Sequence, residues 1–308
     1  MAAQLVSSFS DGELYLIELP LHRHGFRKFI GCWLLKNKRG RFLVDVGPSV
    51  ALPQLLSSLQ ELGISRLDYI LLTHIHLDHS GGIGDVLQYF PDTYVLVHPK
   101  ARQHLQHPAT LWEGSVKVLG DLAYFYGPLK PVPPEKFVDE IPEIKSIGTP
   151  GHAPHHLSFL WQNYLFAGEV AGVYLNLEGD LYLRPATPPR FFLDTAVSSL
   201  DILLELVSDE TSICFGHFGW ARGARRILKL ARRQLYCWEE IIRSACGKFE
   251  GEGEDELLVF LEDELLKRDP LLRSFSRLEV DIQERERYFL RNSLRGYLGY
   301  LRSVMSSL

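Results

Sequence analysis

The 308-residue sequence predicts an α/β domain over residues 1–221, followed by a helical C-terminal extension over residues 222–308. Short apolar runs with strand character alternate with helical patterns up to about residue 220, which is typical of α/β domains. Four potential metal ligands lie directly after one of those runs, within residues 74–79. From residue 222 onward the apolar residues instead recur every three or four positions, which is the spacing of amphipathic helices.

The predicted strands of the first half are short apolar runs bounded by polar or turn-forming residues. They cover residues 13–19, 29–36, 41–46, 69–72 and 94–98. Residues 50–62 are predicted to be helical because four leucines fall on one face, namely Leu52, Leu55, Leu56 and Leu59. Farther along the chain, strands continue to residue 169 and a helix is predicted over residues 200–206.

Residues 101–127 interrupt this alternation with a mainly helical stretch, which we expect to break at Pro108. Trp112, Tyr124 and Tyr126 give the stretch more aromatic surface than a short surface helix needs. Large aromatic side chains can cover an apolar substrate at modest entropic cost. We therefore predict that residues 101–127 are an insertion that forms a lid over the functional site.

The C-terminal extension is predicted to contain three helices, of which the first begins near residue 222. The others cover residues 256–267 and 282–304. In the last helix, apolar residues alternate spacings of four and three and form a narrow seam: Leu290, Leu294, Tyr297, Leu301 and Val304. This seam predicts either a face buried within the chain or a contact between the subunits of a homodimer.

Composition narrows the class of protein. With 46% hydrophobic and 23% charged residues, the chain has the balance of a globular protein. A net charge of −5 argues against nucleic acid as the main partner, and the arginine-rich start of the extension is expected to be a solvated helix face. We also expect neither a signal peptide nor a membrane partner, because no apolar stretch approaches the roughly 18 residues of a membrane span. The cysteines have no paired spacing, which predicts reduced, buried thiols and a cytoplasmic location: Cys32, Cys214, Cys237 and Cys246.

The most informative segment is Thr73–Gly82, which contains His74, His76, Asp78 and His79. Burying such ionisable groups unpaired costs on the order of several kcal/mol each. Divalent cations remove that cost, because neutral imidazoles and carboxylates are their common ligands. His74 and His76 are two residues apart in an extended segment, so they project to the same side. The segment therefore predicts a metal site.

This HxHxDH pattern resembles the signature of the metallo-β-lactamase-fold superfamily, and further motifs follow in the family's order. They are Leu43–Pro48, Gly148–His156, Leu165–Glu169 and Phe215–Gly219. Together the motifs cover about residues 10–220, and residues 74–170 are most similar to the glyoxalase II-like hydrolases. The resemblance implies a four-layer αββα sandwich, to which the helical extension is added.

The resemblance also implies a site for two divalent metal ions, and zinc, iron and manganese all accept imidazole and carboxylate ligands. One ion would be held by His74, His76 and His152, and the other by Asp78, His79 and His217. Glu169 would bridge the two ions, and Asp78 and Glu169 are the expected catalytic carboxylates. Family members have Asp at the bridging position. The extra methylene of Glu169 moves the carboxylate about 1.5 Å outward, a large step against metal–oxygen bonds of about 2.0–2.2 Å.

The activity implied by the resemblance is hydrolysis of a small thioester, ester or lactone by a metal-bound hydroxide. Tyr174, Tyr182 and Arg184 are the candidate substrate-binding residues, since glyoxalase II-like enzymes contact their substrates in this region. His155 and His156 are expected either to support the ligands, to face the substrate or to be structural. Two alternatives remain open. One is a mononuclear iron dioxygenase of the persulfide dioxygenase type, and the other is a phosphodiesterase or nuclease.

Overall fold

The computed structural model describes residues 3–251 and 253–305. Within that part of the chain, the first half contributes seven strands to one sheet, in sequence order. They are β1 (Ala3–Phe9), β2 (Gly12–Glu18), β3 (Gly31–Asn37), β4 (Gly40–Val44), β5 (Tyr69–Leu71), β6 (Tyr94–Leu96) and β7 (Phe137–Val138). Strands β1 to β4 are antiparallel to their neighbours, whereas β4 to β7 run parallel. The carboxyl ends of β4 and β5 therefore lie side by side.

The second half of the described chain adds a second sheet and a hairpin. Its strands are β8 (Lys145–Gly148), β9 (Leu157–Trp161), β10 (Tyr164–Gly168), β11 (Val173–Leu177), β12 (Asp180–Arg184), β13 (Ser212–Phe215) and β14 (Trp220–Arg222). The sheet has the order β14-β13-β10-β9-β8, and β11 pairs with β12 alone. Since β10 and β13 are parallel, their carboxyl ends also lie side by side.

Helices cover the outer faces of both sheets. They are α1 (Leu52–Glu61), α2 (Leu77–Ser80), α3 (Ile83–Tyr89), α4 (Pro99–Gln106), α5 (Ala109–Leu119), α6 (Asp121–Tyr126), α7 (Leu193–Leu206), α8 (Ala224–Cys246), α9 (Glu254–Arg268) and α10 (Val280–Met305). The predicted interruption at Pro108 is confirmed, because this proline separates α4 from α5.

Among the described residues, three hydrophobic clusters fill the spaces between four layers. Strand β3 shows why both of its faces are apolar. Trp33 and Leu35 project into the cluster between the sheets, whereas Cys32 and Leu34 project toward the helices on the outer face. A third cluster joins the second sheet to α7 through α10. The predicted four-layer αββα sandwich is therefore confirmed.

The C-terminal helices are an integral part of this sandwich. Leu290, Leu294 and Tyr297 of α10 are completely buried, in the same cluster as Trp238 of α8. The seam thus packs within the chain, which is the first of its two interpretations. Ala221 and Ala224 belong to the same hydrophobic cluster, so this core continues across residue 222, and the division into two domains stays a prediction. Homodimer formation through other faces of these helices stays a prediction.

The structure differs from the sequence-based expectations in several elements, among them strands β11 to β14, which were not predicted. Strand β1 was not expected, because it is an edge strand of mostly exposed or half-buried residues without an apolar run. Helix α7 begins at Leu193, seven residues before its predicted start. Among the cysteines, Cys32 and Cys214 are buried, whereas Cys237 and Cys246 are half-buried, and all four are free thiols. No described helix is long and apolar enough to cross a membrane.

Candidate metal centre

All seven predicted metal ligands come together at the carboxyl ends of strands. The loop after β5 carries His74, His76, Asp78 and His79, and the other three follow β8, β10 and β13, namely His152, Glu169 and His217. Loops at strand ends can present polar groups while the strands remain packed in the core. The fold therefore brings together ligands that lie up to about 140 residues apart in the sequence.

Close backbone approach explains two glycines of the site. A Cβ on Gly168, which has a φ of +56°, would lie 2.4 Å from Nε2 of His156. A Cβ on Gly216 would lie 3.0 Å from Cε1 of His79 and almost as close to the backbone of Gly168. The chain can pass beneath the histidines only where side chains are absent.

The first group of ligands consists of His74, His76, His152 and Glu169, and its four ligand atoms lie within 4.8 Å of one another. Nδ1 of His76 is 3.0 Å from Nε2 of His74 and 2.9 Å from Nε2 of His152. Oε2 of Glu169 lies 2.9 Å from Nε2 of His152 and 3.3 Å from Nε2 of His74. Three imidazole nitrogens and a carboxylate oxygen thus converge on one point.

The second group consists of Asp78, His79 and His217. Oδ2 of Asp78 is 3.6 Å from Nε2 of His217 and 3.9 Å from Nε2 of His79. Glu169 contacts this group as well, because its Oε1 is 3.2 Å from Nε2 of His217 and its Oε2 is 3.3 Å from Nε2 of His79. The carboxylate of Glu169 therefore lies between the two groups.

The donor set fits divalent cations. Nε2 of His79 is buried and makes no hydrogen bond within the described structure, although a carboxylate oxygen is only 3.3 Å away. A buried imidazole nitrogen without a partner is costly unless a cation accepts its lone pair. The residues present could hold one ion in each group, with Glu169 shared between them.

Most of the ligands are fixed by a second contact, as is usual for metal-binding histidines. Asp45 accepts hydrogen bonds from the backbone N–H of Thr73 at 2.8 Å and contacts Nδ1 of His79 at 2.9 Å. Oγ1 of Thr73 is in turn 3.0 Å from Nδ1 of His74. These contacts tie the carboxyl ends of β4 and β5 to both ligand groups.

Two further imidazoles, those of His152 and His217, are held by backbone oxygens. Nδ1 of His152 donates to the carbonyl of Ala186 at 3.0 Å, and Nδ1 of His217 donates to the carbonyl of Phe29 at 3.3 Å. The ring of Phe29 also stacks on that of His217, with centroids 4.2 Å apart. Each contact leaves Nε2 of the imidazole facing the other ligands.

His156 supports Glu169 and is placed away from the cavity. It is completely buried, and its Nε2 accepts a hydrogen bond from the backbone N–H of Glu169 at 3.0 Å. Its Nδ1 lies 2.8 Å from Oγ1 of Thr149. Of the roles considered for this histidine, the structure gives it the supporting one.

The pKa values of three predicted ligands are shifted by their surroundings. Burial and the nearby imidazoles of His79 and His76 hold the pKa of His74 well below its usual value, so it is a neutral ligand. Burial alone would raise the pKa of Glu169, but His152 and His217 outweigh it and hold that pKa well below its usual value. Burial alone would lower the pKa of His79, but Asp78 and Asp45 outweigh it and raise that pKa well above its usual value. A cation that binds to His79 must therefore displace a proton.

The predicted substrate-binding residues are placed differently from one another. Tyr182 is completely buried and its hydroxyl donates to Glu286 at 3.0 Å, while the ring of Tyr174 stacks on Phe215 with centroids 4.9 Å apart. Both tyrosines pack in the core outside the cavity at the metal ligands. Arg184 lines that cavity, but its guanidinium is bonded to Glu286 of α10. Sequence reasoning missed Glu286, because a lone acid in a charged helix gives no signal of burial.

The cavity beside the ligands has a volume of about 400 Å³. One wall carries His76, Asp78, His152, Glu169 and His217, and the other walls come from α5, α6, the loop 186–190 and α10. Tyr126 lines it and has a buried hydroxyl without a hydrogen-bond partner in the described structure. A volume of this size suits a small organic molecule.

The predicted insertion lies over this cavity, but of its three predicted aromatic residues only Tyr126 lines it. Tyr126 lines the cavity, whereas Trp112 packs against the exposed Tyr124 with ring centroids 5.7 Å apart, away from it. The covering surface comes instead from the aliphatic face of α5. Sequence reasoning weighted the large aromatics and so missed this face.

Comparisons with known proteins add a family context. The family model described as metallo-beta-lactamase superfamily matches residues 27–217. A metallo-beta-lactamase fold-containing protein of Sulfurisphaera tokodaii is 34% identical over 191 residues, which cover 58% of this chain and 70% of the relative. A hydroxyacylglutathione hydrolase of Citrobacter koseri is 30% identical over 189 residues, and the match spans only 60% of that enzyme's length.

Solved structures share the fold. The crystal structure of an archaeal metallo-beta-lactamase superfamily protein from Sulfolobus tokodaii is 25% identical, with a TM-score of 0.58, covering 85% of this chain and 98% of that one. A metallo-beta-lactamase family protein of Thermus thermophilus is 22% identical, with a TM-score of 0.61, covering 94% of this chain and 93% of that one. The second likeness concerns the fold alone.

Proposed function

Because this chain belongs to the metallo-beta-lactamase superfamily and is a metallo-hydrolase of that superfamily, we propose that it hydrolyses a small thioester, ester or lactone. We further propose that two divalent cations, most readily zinc, with iron or manganese as alternatives, occupy the two ligand groups. Hydroxyacylglutathione hydrolases are among the relatives, and their name specifies an acylated glutathione as substrate. This supports the choice of acyl compounds.

The single observation that carries the proposal is the position of the Glu169 carboxylate. Oε2 lies 2.9 Å from His152 in the first group, and Oε1 lies 3.2 Å from His217 in the second. Oε2 also lies 3.3 Å from His79 of the second group, and a carboxylate placed against both groups in this way is suited to bridge two cations. Glu169, although longer by one methylene, is therefore suited to the bridging role that Asp has in other members of the family.

The residues of the site would have different roles in hydrolysis. Cations held there would lower the pKa of a bound water toward about 7 and polarise a substrate carbonyl. Asp78, whose side chain is 14% exposed, faces the cavity and could accept a proton from the attacking water. The cavity would orient the acyl group, and the backbone contacts of His152 and His217 would keep both imidazoles in place.

A substrate screen tests the proposal. The full chain, loaded with one defined metal at a time, is offered thioesters, esters, lactones and phosphodiesters, and oxygen uptake is followed with a persulfide. We expect turnover of at least one acyl compound and its loss in His76→Ala and Asp78→Ala, because each change removes a ligand atom. His22→Ala, which changes an exposed histidine, is the matched control.

Three results would contradict the proposal. Oxygen consumption with a persulfide, without hydrolysis of any acyl compound, would favour the iron dioxygenase. Hydrolysis of phosphodiesters alone would favour a phosphodiesterase or nuclease. Retained turnover in the two ligand variants would place the reaction elsewhere on the chain.

A further inference from the structure

Helix α5 is unusual because it is rich in apolar residues and yet has no buried residue. Val118 is 64% exposed, and Leu111 and Leu119 are half-buried. An apolar helix gains most of its stability by burying one face, so a face left open beside a cavity needs a reason.

The open face of α5 is directed at the metal-site cavity. Leu111, Gly114, Ser115, Val118 and Leu119 all line it, at spacings that place them on one side of the helix. Leu122, at the start of α6, continues this surface. The hydroxyl of Ser115 donates to the carbonyl of Leu111 at 2.8 Å, so it is already satisfied within the helix. Thr110, at the start of the helix, adds one hydroxyl to the lining, and the rest of this wall offers a ligand mainly hydrocarbon.

Gly114 leaves a gap in the middle of this wall. It is a helix-interior glycine, a position where glycine is less favourable than alanine. A Cβ built on it would have no atom within 4 Å, so close packing against a neighbouring element does not explain the glycine. The gap lies between Leu111 and Val118, and it widens the cavity where a chain running along the helix would pass.

The lining of the same cavity includes members of both ligand groups, among them His76, Asp78 and His217. A molecule with a reactive carbonyl beside those groups and a hydrocarbon chain attached to it would fill both parts of the 400 Å³ space. A short acyl group would leave the face of α5 in contact with water. A medium-length chain would cover it.

We propose that the substrate is an ester or thioester of a medium-length hydrocarbon acid, whose chain lies along the Leu111–Val118 face of α5, and that Gly114 sets the longest chain admitted. This inference rests on the proposed hydrolase activity. Hydrolysis would add water across the acyl bond, releasing the carboxylic acid and the alcohol or thiol. The face of α5 would select the substrate without taking part in bond breaking.

The test uses p-nitrophenyl acetate, butyrate and octanoate, which differ only in chain length, with the zinc-loaded full chain. We expect kcat/KM to rise about tenfold or more from acetate to octanoate, because each added methylene is removed from water. Gly114→Leu, which fills the gap, should abolish this preference and change turnover of the acetate ester less than about threefold. Glu113→Leu adds the same side chain outside the cavity lining and should behave like the unchanged protein.

Binding of sodium octanoate, measured by calorimetry, gives a readout independent of turnover. We expect Gly114→Leu to weaken it at least about tenfold while acetate binding is unchanged. Equal kcat/KM for all three esters in the unchanged protein would overturn the inference, even if Gly114→Leu did not fold. If no ester is hydrolysed but octanoate still binds in a Gly114-dependent way, the hydrolase proposal fails and the chain-binding face stands.

Discussion

At the scale of single residues, Asp45 organises the metal loop. It has a φ of +57°, a conformation that Asp tolerates better than most side chains. In this conformation its carboxylate meets the backbone N–H and hydroxyl of Thr73 and Nδ1 of His79. The local strain is offset by these hydrogen bonds, and the result is a fixed orientation for His79.

Glu169→Gln tests the bridging role at the same scale. A carboxamide has one acceptor oxygen and an NH₂ group in place of the second. It therefore cannot offer one ligand oxygen to a cation beside His152 and another to a cation beside His217. We expect the variant to lose one cation before the other during a chelator titration followed by elemental analysis. Glu169→Asp, which keeps the carboxylate, is the comparison. Unchanged binding of two ions by Glu169→Gln would show that the carboxylate is a spectator.

Tyr126→Phe separates stability from substrate binding. The hydroxyl of Tyr126 is buried at the cavity without a partner in the described structure, and such a group costs about 1–3 kcal/mol. We expect the variant to be as stable as the unchanged protein or up to about 1–3 kcal/mol more stable in urea unfolding. We also expect its kcat/KM to change less than about threefold, because a hydroxyl shielded in this way is out of reach of a substrate in the cavity. A fall in stability would contradict the first expectation, and a tenfold fall in kcat/KM would contradict the second.

At the scale of elements, the stretch 101–127 divides into two parts. Helices α4 and α6 contribute Ala101, Leu105, Leu122 and Tyr126 to the core, whereas α5 contributes no buried residue. Helices α4 and α6 also line the cavity, but their buried residues anchor them in the core, so α5 is the part of this stretch that could move as a lid. The sequence predicted the break at Pro108 correctly, because a proline is a local signal, but it missed the second break at Gly120, between α5 and α6. It also could not show which residues of these helices line the site.

Replacing residues 109–119 by a flexible linker tests this assignment. An 11-residue helix spans about 16 Å, so about six Gly/Ser residues can connect its ends. We expect the metal content and fold to be retained, while KM for a long-chain ester rises several-fold and that for acetate does not. Loss of metal or of folding would mean that α5 is part of the core structure.

At the scale of the whole molecule, α10 connects the two ends of the chain at the site. Arg285 donates to the carbonyls of Gly25 and Arg27, at 2.7 and 2.9 Å, and its guanidinium lies 4.3 Å from the ring centre of Phe29. That ring stacks on His217. The C-terminal helix thus supports a predicted ligand through a loop that precedes it by about 260 residues.

The buried acid Glu286 gives a pH prediction for the fold. Burial alone would raise its pKa, but Arg184 and Arg285 outweigh it and hold the pKa of Glu286 at about 2, below the usual 4.5. Because the folded-state pKa is lowered, its contribution is complete above about pH 4.5 and disappears as pH falls toward 2. Glu286→Gln should cost about 3 kcal/mol at pH 7, since it leaves two buried arginines unpaired.

Urea unfolding from pH 7 to 2.5 measures this effect. The difference between the unchanged protein and Glu286→Gln should narrow as pH falls below about 4.5, in proportion to the protonation of the carboxylate. Glu284→Gln changes an exposed acid of the same helix and should alter the free energy of unfolding by less than about 0.5 kcal/mol. A pH-independent difference for Glu286→Gln would contradict the ion-pair account.

The sequence by itself determined the alternation of strands and helices and the seven candidate ligand positions. The periodicity of hydrophobic residues and the clustering of His, Asp and Glu are local properties, so both can be recognised without knowledge of the fold. Only the tertiary structure decided that Glu169 lies between both ligand groups, that Tyr182 and Arg184 are bonded to Glu286, and that α5 presents its aliphatic face to the site. Each of these facts depends on side chains distant in sequence, whose meeting is fixed by the packing of layers and not by any local pattern.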